Sequence, residues 1–162
     1  MNPIRAGEPL PKIALPDQDR NIVDVASLQD RVVLLSFHPL AWTGVCTRQM
    51  ESLEMNADVF KRANAFAVGI SVDPVPSKKA WANSMHIEKT RLLSDFWPHG
   101  KAARDLGLFR KMDGFSQRAA VLVDPDGIIC FVKIYELNEV PNVDELIEKI
   151  QAISRGDDVC TT

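Results

Sequence analysis

Two stretches of the chain are apolar almost without a break. Arg31–Phe37 reads Arg-Val-Val-Leu-Leu-Ser-Phe, and Asn64–Val72 reads Asn-Ala-Phe-Ala-Val-Gly-Ile-Ser-Val. A strand with one wet face would alternate polar and apolar, so runs of this kind predict parallel strands covered on both faces. Between them Leu53, Ala57 and Phe60 fall on one face at helical spacing, which predicts a helix from about Gly44 to Ala63. Pro76 opens a second helix in which Trp81 and Met85 stand one turn apart. Arg91–Ser94 reads as a short strand and Gly100–Leu106 as a short helix. Arg118–Val123 and Ile128–Ile134 read as two more strands, and Pro125-Asp126-Gly127 between them is a hairpin turn, so that pair is antiparallel. A last helix starts at Asn142, a good cap, with Glu145 three residues on as in a capping box. Val143, Leu146, Ile147, Ile150 and Ile153 form its apolar stripe, and Gly156 ends it.

After a turn-rich segment through about Asp30, the order is therefore β-α-β-α-β-α-β-β-α. Alternation predicts an α/β layered structure, and the terminal hairpin makes its central sheet mixed. The thioredoxin-like fold has this plan, with a central mixed sheet and helices on both faces. At 162 residues the chain is expected to be one domain, 1–162, ending in a flexible C-terminal tail, 156–162.

Composition narrows the function classes. Hydrophobic residues make up 46% and charged residues 25%, enough apolar material for a full core without disulfide staples. A net charge of -3 argues against a nucleic-acid binder. No apolar run is long enough for a membrane span, and Met1-Asn2-Pro3-Ile4-Arg5 does not read as a secretion signal. Three cysteines, Cys46, Cys130 and Cys160, are a sparse and odd set. That fits a reducing cytoplasm, where a useful cysteine is catalytic or redox-active. His38, His86, His99 and the cysteines show no metal-ligand spacing, so no metal site is expected.

The chemistry concentrates after the first long strand, in His38-Pro39-Leu40-Ala41-Trp42-Thr43-Gly44-Val45-Cys46. Open α/β sheets place their ligands at the carboxyl ends of parallel strands, at the turn into a helix. Cys46 should lie in the first turn of that helix, where free backbone N–H groups and the helix dipole favour a negative group. A thiolate favoured in this way is a nucleophile. The other reading of Cys46 is a small buried hydrophobe, as many free cysteines are. Thr43 stands where a Cys-x-x-Cys disulfide would have its first cysteine, so no local disulfide can form. Its hydroxyl is placed either to bond the thiolate and an incoming hydroperoxide or to cap the helix. No proline occurs from Gly114 through Val123, where thioredoxins carry one beside their disulfide.

Pro39-x-x-x-Thr43-x-x-Cys46 resembles the active-site motif of the peroxiredoxins, the AhpC/TSA family. The run Phe37–Cys46 and the segment Leu93-Ser94-Asp95-Phe96-Trp97-Pro98-His99-Gly100 are most similar to the AhpE-like branch. Ser71-Val72-Asp73 followed by Trp81, and Arg118 six residues before Asp124, match the family more generally. The similarity runs from about Gly7 to Ile153. It implies a thiol-dependent peroxidase that reduces hydrogen peroxide and organic hydroperoxides through a cysteine sulfenic acid, in antioxidant defence. Cys46 would be the peroxidatic cysteine, Thr43 would bond thiolate and peroxide, Pro39 would shield the pocket from water, and Arg118 would hold the sulfur ionised. Gln49 stands where many relatives have glutamate, and His38 where they often have an aromatic, so His38 reads as structural.

No cofactor is implied. The implied partners are the hydroperoxide, a thiol reductant (thioredoxin, a glutaredoxin-like protein or a low-molecular-weight thiol) and a second copy of the chain, in a homodimer or ring of dimers. Trp42, Phe96 and Trp97 are candidates for that interface or for the core. Glu51 occupies the position five after Cys46 where some relatives carry a resolving cysteine, which closes that route. Cys130, mid-strand, reads as a packed residue. Gly156-Asp157-Asp158-Val159-Cys160 resembles the C-terminal Gly-Glu-Val-Cys of two-cysteine members with one residue inserted, so Cys160 is either a resolving cysteine or an idle tail residue. A redox sensor or holdase using the same cysteine is the competing class, separable by steady-state turnover.

Overall fold

The computed structural model describes residues 2–28 and 30–160. A short antiparallel hairpin, β1 (Ala14–Pro16) and β2 (Ile22–Asp24), and a single 3-10 turn, Val25–Leu28, precede the main sheet. There follow β3 (Val32–Phe37), α1 (Gly44–Met55), α2 (Ala57–Arg62), β4 (Ala65–Ser71), α3 (Val75–Ser84), β5 (Arg91–Ser94) and α4 (Lys101–Asp105). A second small hairpin, β6 (Phe109–Arg110) and β7 (Phe115–Ser116), leads to β8 (Arg118–Val123), β9 (Ile129–Tyr135) and α5 (Val143–Ser154).

The central sheet has five strands in the order β5-β4-β3-β8-β9. β3, β4 and β5 are parallel, while β8 runs antiparallel to both β3 and β9. The sheet is mixed, as the hairpin at Pro125–Gly127 requires. Asp124 fixes that turn, its Oδ1 accepting from the amides of Asp126 and Ile128.

The single helix expected over 44–63 is two helices. Asn56 breaks it by turning its side chain back on the Ser52 carbonyl, at 2.8 Å, while its own amide bonds Leu53. Short polar side chains compete with the helix ladder in this way. α5 is capped as expected: Asn142 Oδ1 accepts from the amides of Asp144 and Glu145. The reciprocal half of the capping box is not made, because the Glu145 carboxylate pairs with Lys133 at 2.8 Å instead. Gly156, at φ +81°, ends the helix in the left-handed conformation that glycine tolerates best.

Both faces of β3 are buried, which is why its sequence does not alternate. Val32 and Leu34 pack with Cys46, Met50 and Leu53 of α1, Phe60 of α2, Trp81 of α3 and Leu146 and Ile150 of α5. Val33, Leu35 and Phe37 face the other way, onto Ala102 and Ala103 of α4 with Leu106, Leu108, Ile13 and Val25. Helices thus lie on both faces, and burying each such leucine contributes about 1.5–3 kcal/mol. α1 approaches β4 so closely that a Cβ on Gly69 would collide with Met50. This packing fixes the start of α1 over the carboxyl end of the parallel strands. Among the described residues no helix is long and apolar enough to cross a membrane.

Candidate active site

β3 leaves the sheet at Phe37, and the buried His38 and Pro39 start a loop that turns sharply before α1. Trp42 makes that turn at φ +69°, a conformation that costs a non-glycine residue about 1–2 kcal/mol. Its indole donates to Ser77 Oγ of α3 at 3.1 Å, an anchor for the strained turn. Thr43 takes the N-cap position with extended backbone, so Cys46 lies in the first turn of α1. Amides in a first helical turn have no carbonyl partner within the helix and give this end of α1 a partial positive charge.

Cys46 is fully buried and is the free cysteine of the chain. Arg118, also buried, reaches it from β8: its Nη1 lies 3.4 Å from Cys46 Sγ and 2.5 Å from Gln49 Oε1. The Arg118 Nε and Nη2 both donate to the Leu137 carbonyl, at 3.3 and 2.7 Å. Gln49, one turn after Cys46, is held by its own amide nitrogen, which donates to Ser36 Oγ at 2.8 Å and to the Phe37 carbonyl at 3.1 Å. The guanidinium is therefore clamped at three points with its edge on the sulfur. Gln49 supplies a neutral oxygen to Arg118, so the cation's charge is not cancelled there.

The other expected residues are placed differently. Pro39 is buried in the loop ahead of α1. Thr43 is exposed, and its hydroxyl donates to the Leu40 carbonyl at 2.9 Å; it bonds neither the sulfur nor a helix amide. Cys160 is bonded to Cys130. Cys130 follows Ile129, which pairs with Val123, which pairs with Val33 at the start of β3. Cys46 follows the other end of β3, so the two sulfur sites lie at opposite ends of the sheet. Cys130 is packed in its strand, as expected, but it is not unpartnered. The described part of the tail, 156–160, is not a free segment either: Val159 and Cys160 pack on the core. Asp124, Cys130 and Cys160 offer ligand atoms within 4.8 Å of one another, although the two sulfurs here are bonded to each other. Trp42, Phe96 and Trp97 are exposed, in loops at the carboxyl ends of β3 and β5.

The sequence reading did not single out Lys78. Its Nζ is buried beneath the loop, 2.6 Å from Ser71 Oγ and 3.2 Å from His38 Nε2. Burial pulls its pKa down to about 7, against a partial upward pull from Asp73, Cys46 and Asp95. Burial and the Lys78 charge hold His38 well below the usual imidazole range, so it is a neutral ring. One signal was available: Lys78 stands three and four residues before Trp81 and Ala82, on the face α3 buries.

Similarity to known proteins agrees with this geometry. The model of the AhpC/TSA family matches residues 6–132, a span that holds Cys46 and Arg118. The chain belongs to the AhpC/TSA family. This peroxiredoxin is an oxidoreductase of the thiol peroxidase class. It is 35% identical over 138 residues to alkyl hydroperoxide reductase E of Mycobacterium tuberculosis, covering 85% of this chain and 90% of that one. It is likewise 35% identical over 136 residues to peroxiredoxin Bcp of Escherichia coli, covering 80% and 85%. Among solved structures, the reduced 2-Cys peroxiredoxin of Plasmodium vivax aligns with a TM-score of 0.86 at 28% identity, covering 94% of this peroxiredoxin and 83% of that chain. AhpC of Enterococcus faecalis aligns at 0.85 over 99% of both chains; at 24% identity this likeness shows the fold. Cys160 lies beyond the residues that the family model matches.

Proposed function

We propose that the chain reduces hydrogen peroxide and organic hydroperoxides through a sulfenic acid on Cys46, in antioxidant defence, with electrons from a thiol reductant such as thioredoxin. The observation that carries this reading is the Arg118 guanidinium edge 3.4 Å from a sulfur at a helix N-terminus. Both features favour a thiolate. The thiolate attacks one peroxide oxygen, an S–O bond forms and the O–O bond breaks. Sulfur loses two electrons, and the departing oxygen takes a proton to leave as water or alcohol. Negative charge moves from sulfur toward the leaving oxygen, and donors fixed along that path stabilise the transition state more than the ground state. Arg118 and the first-turn amides of α1 are such donors. Thr43 becomes one when its hydroxyl leaves the Leu40 carbonyl for the peroxide, while Pro39 keeps water out.

Because Cys160 is held by Cys130, regeneration through an external thiol fits the chain better than resolution by Cys160. One thiol displaces water from the sulfenic acid to give a mixed disulfide. A second thiol then attacks that disulfide, releasing Cys46 and an oxidised donor. The cytoplasm, rich in such thiols, is the setting we infer. A homodimer or ring of dimers would use the exposed Trp42, Phe96 and Trp97. The test is peroxide consumption driven by thioredoxin or a small thiol, followed by non-reducing mass mapping. The expected products are a Cys46–donor adduct and an intact Cys130–Cys160 link. A Cys46–Cys160 peptide would instead make Cys160 the resolving residue.

A further inference from the structure

Beneath the loop that leads into α1 lies a second buried cation that the mechanism above leaves unused. The Lys78 Nζ donates to Ser71 Oγ at 2.6 Å and meets His38 Nε2 at 3.2 Å. Ser71 Oγ in turn donates to Asp73 Oδ2 at 2.6 Å, and that same oxygen accepts the Ala41 amide at 2.8 Å. One ammonium is therefore tied to both ends of the segment His38–Ala41. This segment contains Pro39, and also Leu40, whose carbonyl holds the Thr43 hydroxyl. Building on the reading of Cys46 as the nucleophile, we propose that Lys78 is a positioning residue of this centre. Its ammonium pins the His38–Ala41 segment against the end of β4 and adds a second positive charge that favours the Cys46 thiolate.

The groups around Lys78 define what its charge does. Ser71 faces it from the end of β4, Asp73 from the turn after that strand, His38 from the loop after β3, Cys46 from α1 and Asp95 from just past the end of β5. The Trp81 ring lies 5.8 Å away on its own helix, and Arg118 acts on His38 from β8. His38 is neutral, and Asp73 is occupied by Ser71 and Ala41. Of these groups, Cys46 alone changes charge during the proposed reaction, so the Lys78 charge bears on the reacting atom.

Lys78 titrates near neutrality because burial disfavours its ammonium. The charge is present at lower pH and is lost as pH rises through about 7. The peroxide reaction should therefore weaken on the alkaline side as this charge is lost. Its effect on stability has the opposite sign. Between about 7 and the ordinary value of 10.5 the unfolded chain binds more protons at this lysine than the folded one. Lys78 thus makes stability rise with pH where activity falls.

The experiment measures second-order rate constants of the reduced, full-length protein with hydrogen peroxide from pH 6 to 10, alongside the pH dependence of Cys46 alkylation by iodoacetamide. Wild type should show a falling alkaline limb. In Lys78→Met that limb should vanish, the alkylation midpoint should rise by about one pH unit, and the neutral-pH rate should drop about tenfold. Ser71→Ala, which keeps the ammonium but cuts its link to Asp73, should lower the rate without moving the midpoint. A folded Lys78→Met with unchanged midpoint and profile would overturn the proposal. Should that variant not fold, a wild-type rate level from pH 7 to 10 would overturn it equally. A wild-type chain that does not react with peroxide at all would instead sink the underlying reading of Cys46.

Discussion

Cys46→Ser consumes no peroxide beyond what the thiol donor reduces unaided. A serine hydroxyl is not ionised at neutral pH and forms no stable counterpart of a sulfenic acid, so the clamped guanidinium has no nucleophile to serve. The replaced side chain is fully buried in the core cluster with Met50 and Trp81. The change also loosens the packing there, but the new hydroxyl sits where Arg118 Nη1 already donates, so it is not left unpartnered and the fold is retained. A thermal melt run beside the peroxide assay separates the two effects: a folded, inert variant is expected. Turnover retained by folded Cys46→Ser would move the chemistry to another residue.

Arg118→Leu should slow the reaction with peroxide by about 10²–10³-fold, the usual consequence of removing one donor to developing charge. The leucine fills space but leaves Gln49 Oε1 and the Leu137 carbonyl without the donors they have now. The buried Gln49 oxygen left unsatisfied costs about 1–3 kcal/mol, so the melting temperature falls as well. Arg118→Lys separates charge from geometry. Its ammonium restores the charge, but a single nitrogen cannot reach Cys46, Gln49 and Leu137 together as the planar fork does. An intermediate rate is expected, measured by stopped-flow under single-turnover conditions. A rate for Arg118→Leu within a few-fold of wild type would remove the guanidinium from the mechanism.

The parts of the fold that could be read from the sequence are those whose pattern is local. β3 and β4 declared themselves as unbroken apolar runs because both of their faces are covered, and the Asp-Gly turn gave the β8–β9 hairpin. β1, β2, β6 and β7 are two or three residues long, too short for any alternation to show. The break at Asn56 depends on a side-chain bond to Ser52 that competes with a helix of otherwise good pattern. At the site, strand-turn-helix order placed Cys46 in a first helical turn. Arg118 was reached only through the family motif, since nothing local shows that a residue 72 positions away folds onto the sulfur. Cys130 was read correctly as a packed strand residue, but its bond to Cys160 depends on where the chain returns after α5. Lys78 is not legible in the sequence because lysine is so rarely buried that its place on the Trp81 face of α3 carries no local signal of a site.

The most direct test is to trap the oxidised sulfur. Protein with Cys46 as a free thiol and the Cys130–Cys160 bond intact is given one equivalent of hydroperoxide in the presence of dimedone and mapped by mass spectrometry. A single dimedone adduct on Cys46, formed as the peroxide is consumed, is the predicted result. Peroxide consumed with Cys46 unmodified, or an adduct confined to Cys130 or Cys160, would contradict it.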